Sequence, residues 1–111
     1  MINIQDNRTN HLLTKVDITE ANLNNADKFR DELVGLLDQH QKKVVVDLGS
    51  ISYMDSSFLG ALVSALKYAI SVNSDVILVG LRKDIYELFT LIRLDKVFKI
   101  YKDFDEATAA V

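Results

Sequence analysis

Two short runs of β-branched residues stand out in the middle of the chain, at residues 44–48 and 76–79. Runs of this kind are typical of strands that are covered on both faces. Between them, the stretch from Ser56 to about Val72 is apolar nearly all round, which predicts a helix that is buried on more than one face. A strand, a helix and a second strand in this order predict a right-handed crossover between parallel strands.

The segment before this unit predicts an antiparallel hairpin and a helix. Apolar residues alternate with polar ones around residues 2–4 and 11–18, which predicts two strands, and the intervening residues 6–10 are turn formers. From Asn24 to His40 the apolar residues recur at helical spacing, with Asn24 and Asp27 in the positions of a capping pair.

The segment after the second buried run continues the alternation. Apolar residues at helical spacing in residues 85–92 predict an amphipathic helix, residues 98–101 predict a last strand, and Asp103 with Glu106 predicts a capped terminal helix. The sequence therefore predicts an α/β fold: a mixed, mostly parallel sheet of about four to five strands, with an N-terminal hairpin and about four helices.

Composition limits the chemistry that the chain can perform by itself. The 111 residues contain no cysteine and no proline, and with no linker or repeat we expect one domain over residues 1–111. The lack of cysteine excludes disulfides and thiol nucleophiles. His11 and His40 lie outside any metal-ligand spacing, so we expect no metal site and no cofactor. The formal charge of -3 disfavours nucleic acid as a partner.

The location expected from the sequence is the cytoplasm. The first residues show no positively charged region followed by an apolar stretch, as a secretory signal would. The most apolar segment, residues 58–70, contains Lys67 and is too short to span a bilayer, which takes about 20 apolar residues. We therefore expect no direct insertion into a membrane.

Three stretches follow predicted strands at the edge where α/β sheets bind ligands: residues 20–25, 52–57 and 80–82. The middle stretch stands out, because Asp55, Ser56 and Ser57 precede a strongly apolar helix. These residues either cap the helix or present a site for an anion or a modification at its amino end. A catalytic serine is disfavoured, because the chain has no G-x-S-x-G motif and no histidine close in sequence.

Residues 44–69, VVVDLGSISYMDSSFLGALVSALKYA, resemble a STAS domain of the anti-sigma factor antagonist type. The resemblance covers nearly the whole chain. It is strongest in the phrase Tyr53-Met54-Asp55-Ser56-Ser57 and the following helix, and it extends to residues 91–101.

This resemblance implies a partner switch in which the domain is a substrate and a ligand, not an enzyme. The implied partner is a GHKL-type serine kinase that acts as an anti-sigma factor. It would phosphorylate Ser56, with Ser57 as the weaker candidate, and so release the domain; a PP2C-type phosphatase would reverse the step. The implied neighbours of the phosphate are Asp55 and Asn22. Apolar contacts to the partner would come from Met54, Phe58 and Leu59.

Three residues depart from the family pattern. Phe58 stands where a glycine is common, and it either anchors the partner or packs into its own core. Asn22 stands where many relatives carry an aspartate, which removes one negative charge. Arg93 replaces a glycine before Leu94 and Asp95, and because glycine suits a left-handed helix end better, we expect that end to be rearranged.

Two other functions stay open at the level of sequence. The same fold serves as a structural partner of membrane transporters of the lipid ABC type, and an apolar surface near Phe58 and Leu59 would then dock permanently. A small hydrolase using Ser56 is the remaining enzymatic alternative, with little in the sequence to support it.

Overall fold

Strands and helices alternate along the chain in the computed structural model, which describes residues 1–110. The strands are Ile2–Asn7 (β1), His11–Val16 (β2), Glu20–Ala21 (β3), Lys43–Asp47 (β4), Tyr53–Met54 (β5), Val76–Val79 (β6) and Lys99–Tyr101 (β7). The helices are Leu23–His40 (α1), Ser56–Ser71 (α2), Lys83–Leu91 (α3) and Phe104–Ala109 (α4), with a 3₁₀ turn at Leu94–Lys96.

Five strands form one mixed sheet in the order β1-β2-β4-β6-β7. β1 and β2 pair antiparallel as the predicted hairpin, and the other neighbours pair parallel. A helix lies in each connection between the parallel strands, because such strands need a crossover. The predicted α/β fold, with its hairpin, mostly parallel sheet and about four helices, is confirmed.

β3 and β5 form a separate parallel ladder that the sequence did not predict. Each has two residues, too few to show the alternation that marks a strand. The ladder places Ala21 beside Met54 and thereby ties the segment after β2 to the loop after β4. Both of these segments lead into a helix, so the ladder brings the starts of α1 and α2 together.

Alternate residues of the central strand pack on opposite faces of the sheet. Val44 and Val46 of β4 belong to the larger core cluster, to which α1, α2 and α3 contribute, and Val45 belongs to a smaller cluster with Ala107 of α4. All three valines are 0% exposed. This confirms the prediction of a strand covered on both faces.

The helix starts agree with the sequence at α2 and differ at α1. α2 begins at Ser56 as predicted, with Asp55 as its N-cap. The predicted capping pair of Asn24 and Asp27 is wrong, because α1 begins at Leu23 with Asn22 as its N-cap. β3 ends at Ala21, immediately before Asn22, so the ladder with β5 selects the first of several asparagines that could each cap the helix.

Each of the first three helices is followed, within two residues of its end, by a residue with left-handed backbone conformation. These residues are Gln41 (φ 51°), Asn73 (φ 60°) and Arg93 (φ 65°). Glycine is the usual residue at such ends, since a side chain costs about 1–2 kcal/mol there. Arg93 adopts the conformation that a glycine would take, so the expected rearrangement of this helix end is not observed. In the part of the chain described, no helix is long and apolar enough to cross a lipid bilayer.

Candidate functional site

The carboxyl end of the sheet brings two of the three predicted stretches into direct contact. The amide of Asp55 donates to the carbonyl of Ala21 (2.9 Å), next to the β3–β5 ladder. This bond places the N-caps of α1 and α2 beside each other. The amino ends of both helices, with their unpaired amides and partial positive charges, therefore converge on one small region.

One carboxylate caps both helices. Oδ1 of Asp55 accepts from the amide of Phe58 in α2 (3.0 Å), and Oδ2 accepts from the amide of Leu23 in α1 (2.9 Å). The interpretation of Asp55 as a helix cap is therefore correct, and the sequence pattern shows only one of its two bonds. The second bond depends on the approach of α1, which residues 55–58 do not encode.

Asn22 belongs to the same region but its side chain is already engaged. Its Oδ1 accepts from the amide of Asn24 (2.9 Å), and its own amide donates to Oδ1 of Asn25 (2.9 Å), so the two asparagines form a reciprocal capping box. Asn22 directly precedes Leu23, which donates to Asp55. The residue thus lies close to the candidate phosphosite and serves there as a helix cap.

The two candidate serines differ in exposure. Ser56, the first residue of α2, is exposed, whereas Ser57 is half-buried. Ser57 lines a groove of about 320 Å³ between α1 and α2, together with Leu23, Asp27 and Gly60. Within residues 1–110 neither hydroxyl makes a hydrogen bond, so Ser56 offers an unengaged oxygen to solvent on a fixed helix start.

The apolar residues expected to contact a partner are buried. Met54 is 5% exposed, Phe58 0% and Leu59 8%. The ring of Phe58 packs against Phe29 of α1, with 4.5 Å between the ring centroids. Of the two alternatives for Phe58, packing into its own core is the correct one, because a helix that is apolar nearly all round turns this ring towards α1 and the sheet. Phe58, Met54 and Leu59 therefore form no exposed docking surface.

Two other apolar side chains are exposed beside Asp55. Leu23 is 72% exposed and Tyr53 is 54% exposed. Tyr53 alternates with buried Met54 on β5, and a two-residue strand is too short for this alternation to be recognised in the sequence. Leu23 precedes the residue from which the predicted α1 begins. The sequence carries no clear signal for either exposed side chain.

The third predicted stretch holds the loop after β4 in place. Oδ1 of Asp47 accepts from the amide of Gly49 (2.8 Å), and Nε of Arg82 donates to the carbonyl of Gly49 (3.1 Å). Gly80 has φ 72°, and a Cβ there would lie 2.7 Å from Oδ1 of Asp47. Glycine is required at this position for both reasons, and residues 80–82 support the chain that leads to Ser56.

Neither histidine belongs to this region. His11 begins β2, at the opposite edge of the sheet, where it pairs with Lys43. His40 is the last residue of α1, an 18-residue helix that begins beside Asp55. A helix of this length extends about 27 Å, so His40 lies far from Ser56.

The geometry agrees with what the comparisons with known proteins find. The family described as the STAS domain matches residues 18–107. The chain belongs to the STAS domain family. This STAS domain is 27% identical over 90 residues to a Bordetella bronchiseptica protein named as the anti-sigma factor antagonist BtrV, covering 81% of this chain and 78% of that protein.

Solved structures of similar proteins have the same fold. An anti-sigma factor antagonist from Thermotoga maritima has a TM-score of 0.77 and 25% identity, covering 89% of this chain and 86% of that one. SpoIIAA of Bacillus matches in its unphosphorylated form (TM-score 0.71, 13% identity, 98% and 94% covered) and its phosphorylated form (0.70, 14%, 98% and 97%). The resemblance seen in the motif around Asp55 is confirmed, and the SpoIIAA structures share the fold of this STAS domain.

Proposed function

We propose that this STAS domain is an anti-sigma factor antagonist that works in the cytoplasm by switching partners. Unphosphorylated, it binds a GHKL-type serine kinase that acts as an anti-sigma factor. Phosphorylation of Ser56 by that kinase releases it, and a PP2C-type phosphatase restores the binding form. Residues 1–111 act as one domain, which is the ligand and substrate of these proteins and performs no catalysis itself. The names of BtrV and the Thermotoga maritima protein support the proposal.

The observation that carries the proposal is the exposure of Ser56 at a rigid helix start. Its hydroxyl is accessible and unengaged, while the neighbouring carboxylate of Asp55 is held by two amides. A kinase active site can therefore reach the oxygen without unfolding the helix. Ser57 is the weaker candidate because it is half-buried in the groove between α1 and α2.

The free domain can accommodate a phosphate on Ser56. A phosphoserine carries about -1.5 to -2 charge near neutral pH. Two helix amino ends meet at this point, and each favours a nearby negative charge by about 0.3–1 kcal/mol. They oppose the repulsion from Asp55, which water screens because Ser56 is exposed in the free domain, so we expect the fold to remain unchanged by the modification.

A docked partner would experience the same phosphate as a large penalty. Within the complex, the phosphate and another negative charge about 5 Å away would repel each other by roughly 3 kcal/mol at an effective dielectric near 20. The phosphate must also lose its hydration when the partner covers it. Converting a mostly bound complex to a mostly free one takes about 5.5 kcal/mol. Repulsion and desolvation together are of this order, so release needs no refolding.

The partner-binding surface proposed here differs from the one expected from the sequence. The contacts to the kinase come from Leu23 and Tyr53, the exposed apolar side chains that flank Asp55. The buried layer beneath this surface consists of Met54, Phe58 and Leu59. Aromatic side chains are enriched at the centres of protein interfaces. Tyr53 is therefore the expected anchor.

The purified kinase from the same cell tests the proposal. With ATP it should add one phosphate to the wild-type domain and to Ser57→Ala, located by mass spectrometry at Ser56, and none to Ser56→Ala. In a binding assay, Ser56→Ala should keep wild-type affinity. Ser56→Asp should lose about 100-fold or more, consistent with a penalty of several kcal/mol. Ser57→Asp is the matched control for a negative charge one residue away.

Two results would contradict the proposal. Wild-type affinity of Ser56→Asp for the kinase would rule out release by charge at this site. Permanent co-purification with an ATPase component of a membrane transporter, without phosphate on either serine in cells, would instead assign the domain to a transporter complex.

A further inference from the structure

A second polar pocket lies at the opposite edge of the sheet, where the parallel strands begin. Its volume is about 420 Å³. Four segments of the chain converge on it: the β1–β2 turn with the start of β2, the α1–β4 loop with the start of β4, the α2–β6 loop, and the end of α4. Its lining includes His11, Lys42, Lys43, Asn73, Ser74 and Thr108.

The pocket is cationic although the chain is acidic overall. His11 and Lys43 are direct neighbours in the parallel pairing of β2 with β4. Nζ of Lys42 donates to Oδ1 of Asn7 (2.7 Å) and to the carbonyl of Arg8 (2.8 Å), which fixes the ammonium at the rim. Among residues 1–110, none that lines the pocket carries a carboxylate, in a chain with 16 acidic and 13 basic residues. In the described part of the chain, Arg8 pairs with the carboxylate of Asp6 (2.9 Å).

Several polar groups that line the pocket have no partner among residues 1–110. Within residues 1–110, the ammonium of Lys43 and the ring of His11 form no hydrogen bond or ion pair. Oγ of Ser74 is buried without a partner. A buried polar atom left unpaired costs about 1–3 kcal/mol, so such atoms in native proteins call for an explanation. A bound acceptor that reaches these groups would supply their missing partner.

The backbone around the pocket is strained at two positions. Gln41 (φ 51°) and Asn73 (φ 60°), which both line it, adopt the left-handed conformation that favours glycine. Their backbone places the α1–β4 and α2–β6 loops side by side over the starts of β4 and β6. Strain of this kind often accompanies binding sites.

We propose that this pocket binds a small phosphate-bearing molecule. Phosphate oxygens accept charge-assisted hydrogen bonds from lysine, histidine and hydroxyl groups, which is the set that the pocket leaves unpaired. The volume falls in the range of about 300–1,000 Å³ that small-ligand sites occupy. The site is separate from Ser56 and does not depend on the proposed partner switch.

His11 reports directly on occupancy. Its burial and the positive charges of Lys43 and Arg8 lower the pKa of its imidazole below the ordinary value. A bound anion adds the opposite charge and stabilises the protonated ring, so the pKa of His11 should rise on binding. A contact that merely changes the shape of the pocket would not produce this signature.

Pyrophosphate is a suitable probe for an NMR titration of the full chain at constant ionic strength. We expect saturable chemical-shift changes confined to the pocket residues, and a rise in the pKa of His11. Lys43→Ser should weaken binding about tenfold, the loss expected for one charge-assisted hydrogen bond. Lys67→Ser removes an exposed lysine from α2 and is the matched control; its affinity should stay unchanged.

Three outcomes would overturn the proposal. The first is equal binding by the Lys43→Ser variant, provided that its spectrum shows the native fold. The second is an equal response to sulfate and pyrophosphate, which would indicate non-specific attraction of anions. The third is co-sedimentation with phosphatidylglycerol vesicles without a pyrophosphate response, which would assign the cationic pocket to a membrane surface.

Discussion

The carboxyl and amino edges of the sheet differ in whether their polar side chains have hydrogen-bond partners. At the carboxyl edge, the carboxylate of Asp55 and the side chain of Asn22 are satisfied by helix amides, and the hydroxyl of Ser56 is exposed and makes no hydrogen bond within residues 1–110. At the amino edge, Ser74 is buried without a partner and Lys43 has no acceptor within residues 1–110. A satisfied edge suits a site where other proteins act on one presented group. An unsatisfied edge suits a pocket whose ligand completes the hydrogen bonds.

The largest expected change in stability distinguishes buried Phe58 from exposed Tyr53, both at the carboxyl edge of the sheet. Phe58→Ala removes a ring that is 0% exposed and packed on Phe29, so it should lower the free energy of unfolding by about 3–5 kcal/mol. Tyr53→Ala removes a ring that is 54% exposed and should change stability by less than about 0.5 kcal/mol. Urea denaturation measures both.

The same pair of variants separates packing from partner binding. Tyr53→Ala should weaken kinase binding while remaining folded. Wild-type kinase affinity of Tyr53→Ala would contradict the assignment of a partner contact to Tyr53, and wild-type stability of Phe58→Ala would contradict the packing of the Phe58 ring in the core.

The second effect tests the double cap. Asp55→Ala leaves the amides of Leu23 and Phe58 without their hydrogen-bond acceptor. Each cap stabilises the fold by about 1 kcal/mol, so the free energy of unfolding should fall by about 2 kcal/mol. Asp103→Ala removes a single cap, the bond from the amide of Glu106 to Oδ1 (2.9 Å), and should cost about half as much. Thermal unfolding of the two variants gives the comparison. Equal losses would mean that the bond to Leu23 contributes nothing.

The third effect concerns strain at the amino edge and has the opposite sign. Gln41→Gly relieves a left-handed residue at the end of α1 and should stabilise the domain by about 1 kcal/mol. Gly80→Ala, at the carboxyl edge, places a Cβ at 2.7 Å from Asp47 on a backbone with φ 72° and should destabilise it. Denaturant midpoints at one pH measure both changes. A destabilising Gln41→Gly would show that the glutamine side chain stabilises its loop.

The smallest effect is the pH dependence set by His11. Its pKa is lowered in the folded protein, first by burial and then by Lys43 and Arg8, so the folded state disfavours the protonated ring. The contribution of the neutral His11 ring to the free energy of unfolding is complete above pH 6.5, the ordinary pKa of histidine. It is lost as the pH falls from there through the lower pKa of His11 in the folded state.

His11→Asn should therefore flatten the decline in unfolding free energy below pH 6.5 relative to the wild type. Adding pyrophosphate to the wild type should flatten it as well, because a bound anion raises the pKa of His11. Parallel pH profiles for the wild type and His11→Asn would show that the ring is not disfavoured when protonated.

Local patterns in the sequence predict the elements that are long enough to display a period. Residues 44–46 read correctly as a strand covered on both faces, and α2 starts at Ser56 because Asp55 is a strong N-cap followed by an apolar helix. The errors occur where the signal is short or ambiguous. β3 and β5 have two residues each, and the asparagines at 22, 24 and 25 are equally good caps until the ladder selects one.

The candidate site divides in the same way. The chemistry of residues 55–57 and the resemblance to the STAS domain are present in the linear sequence, and the family match confirms that resemblance. The linear sequence does not show which of the side chains around this site are exposed. The sequence allows two interpretations of Phe58, a partner contact or a core residue, because both fit an apolar helix start. Its packing on Phe29 shows that it is a core residue.

By itself, the sequence determined the order of the longer strands and the helices, the start of α2 at Ser56 and the resemblance to the family, because these depend on neighbours along the chain. The tertiary structure decided what depends on residues far apart: the bond from Asp55 to Leu23, the exposure of Tyr53, and the gathering of His11, Lys43 and Ser74 into one pocket. Hydrogen bonds and burial between distant segments require the sheet to bring them together, and no local pattern records that approach.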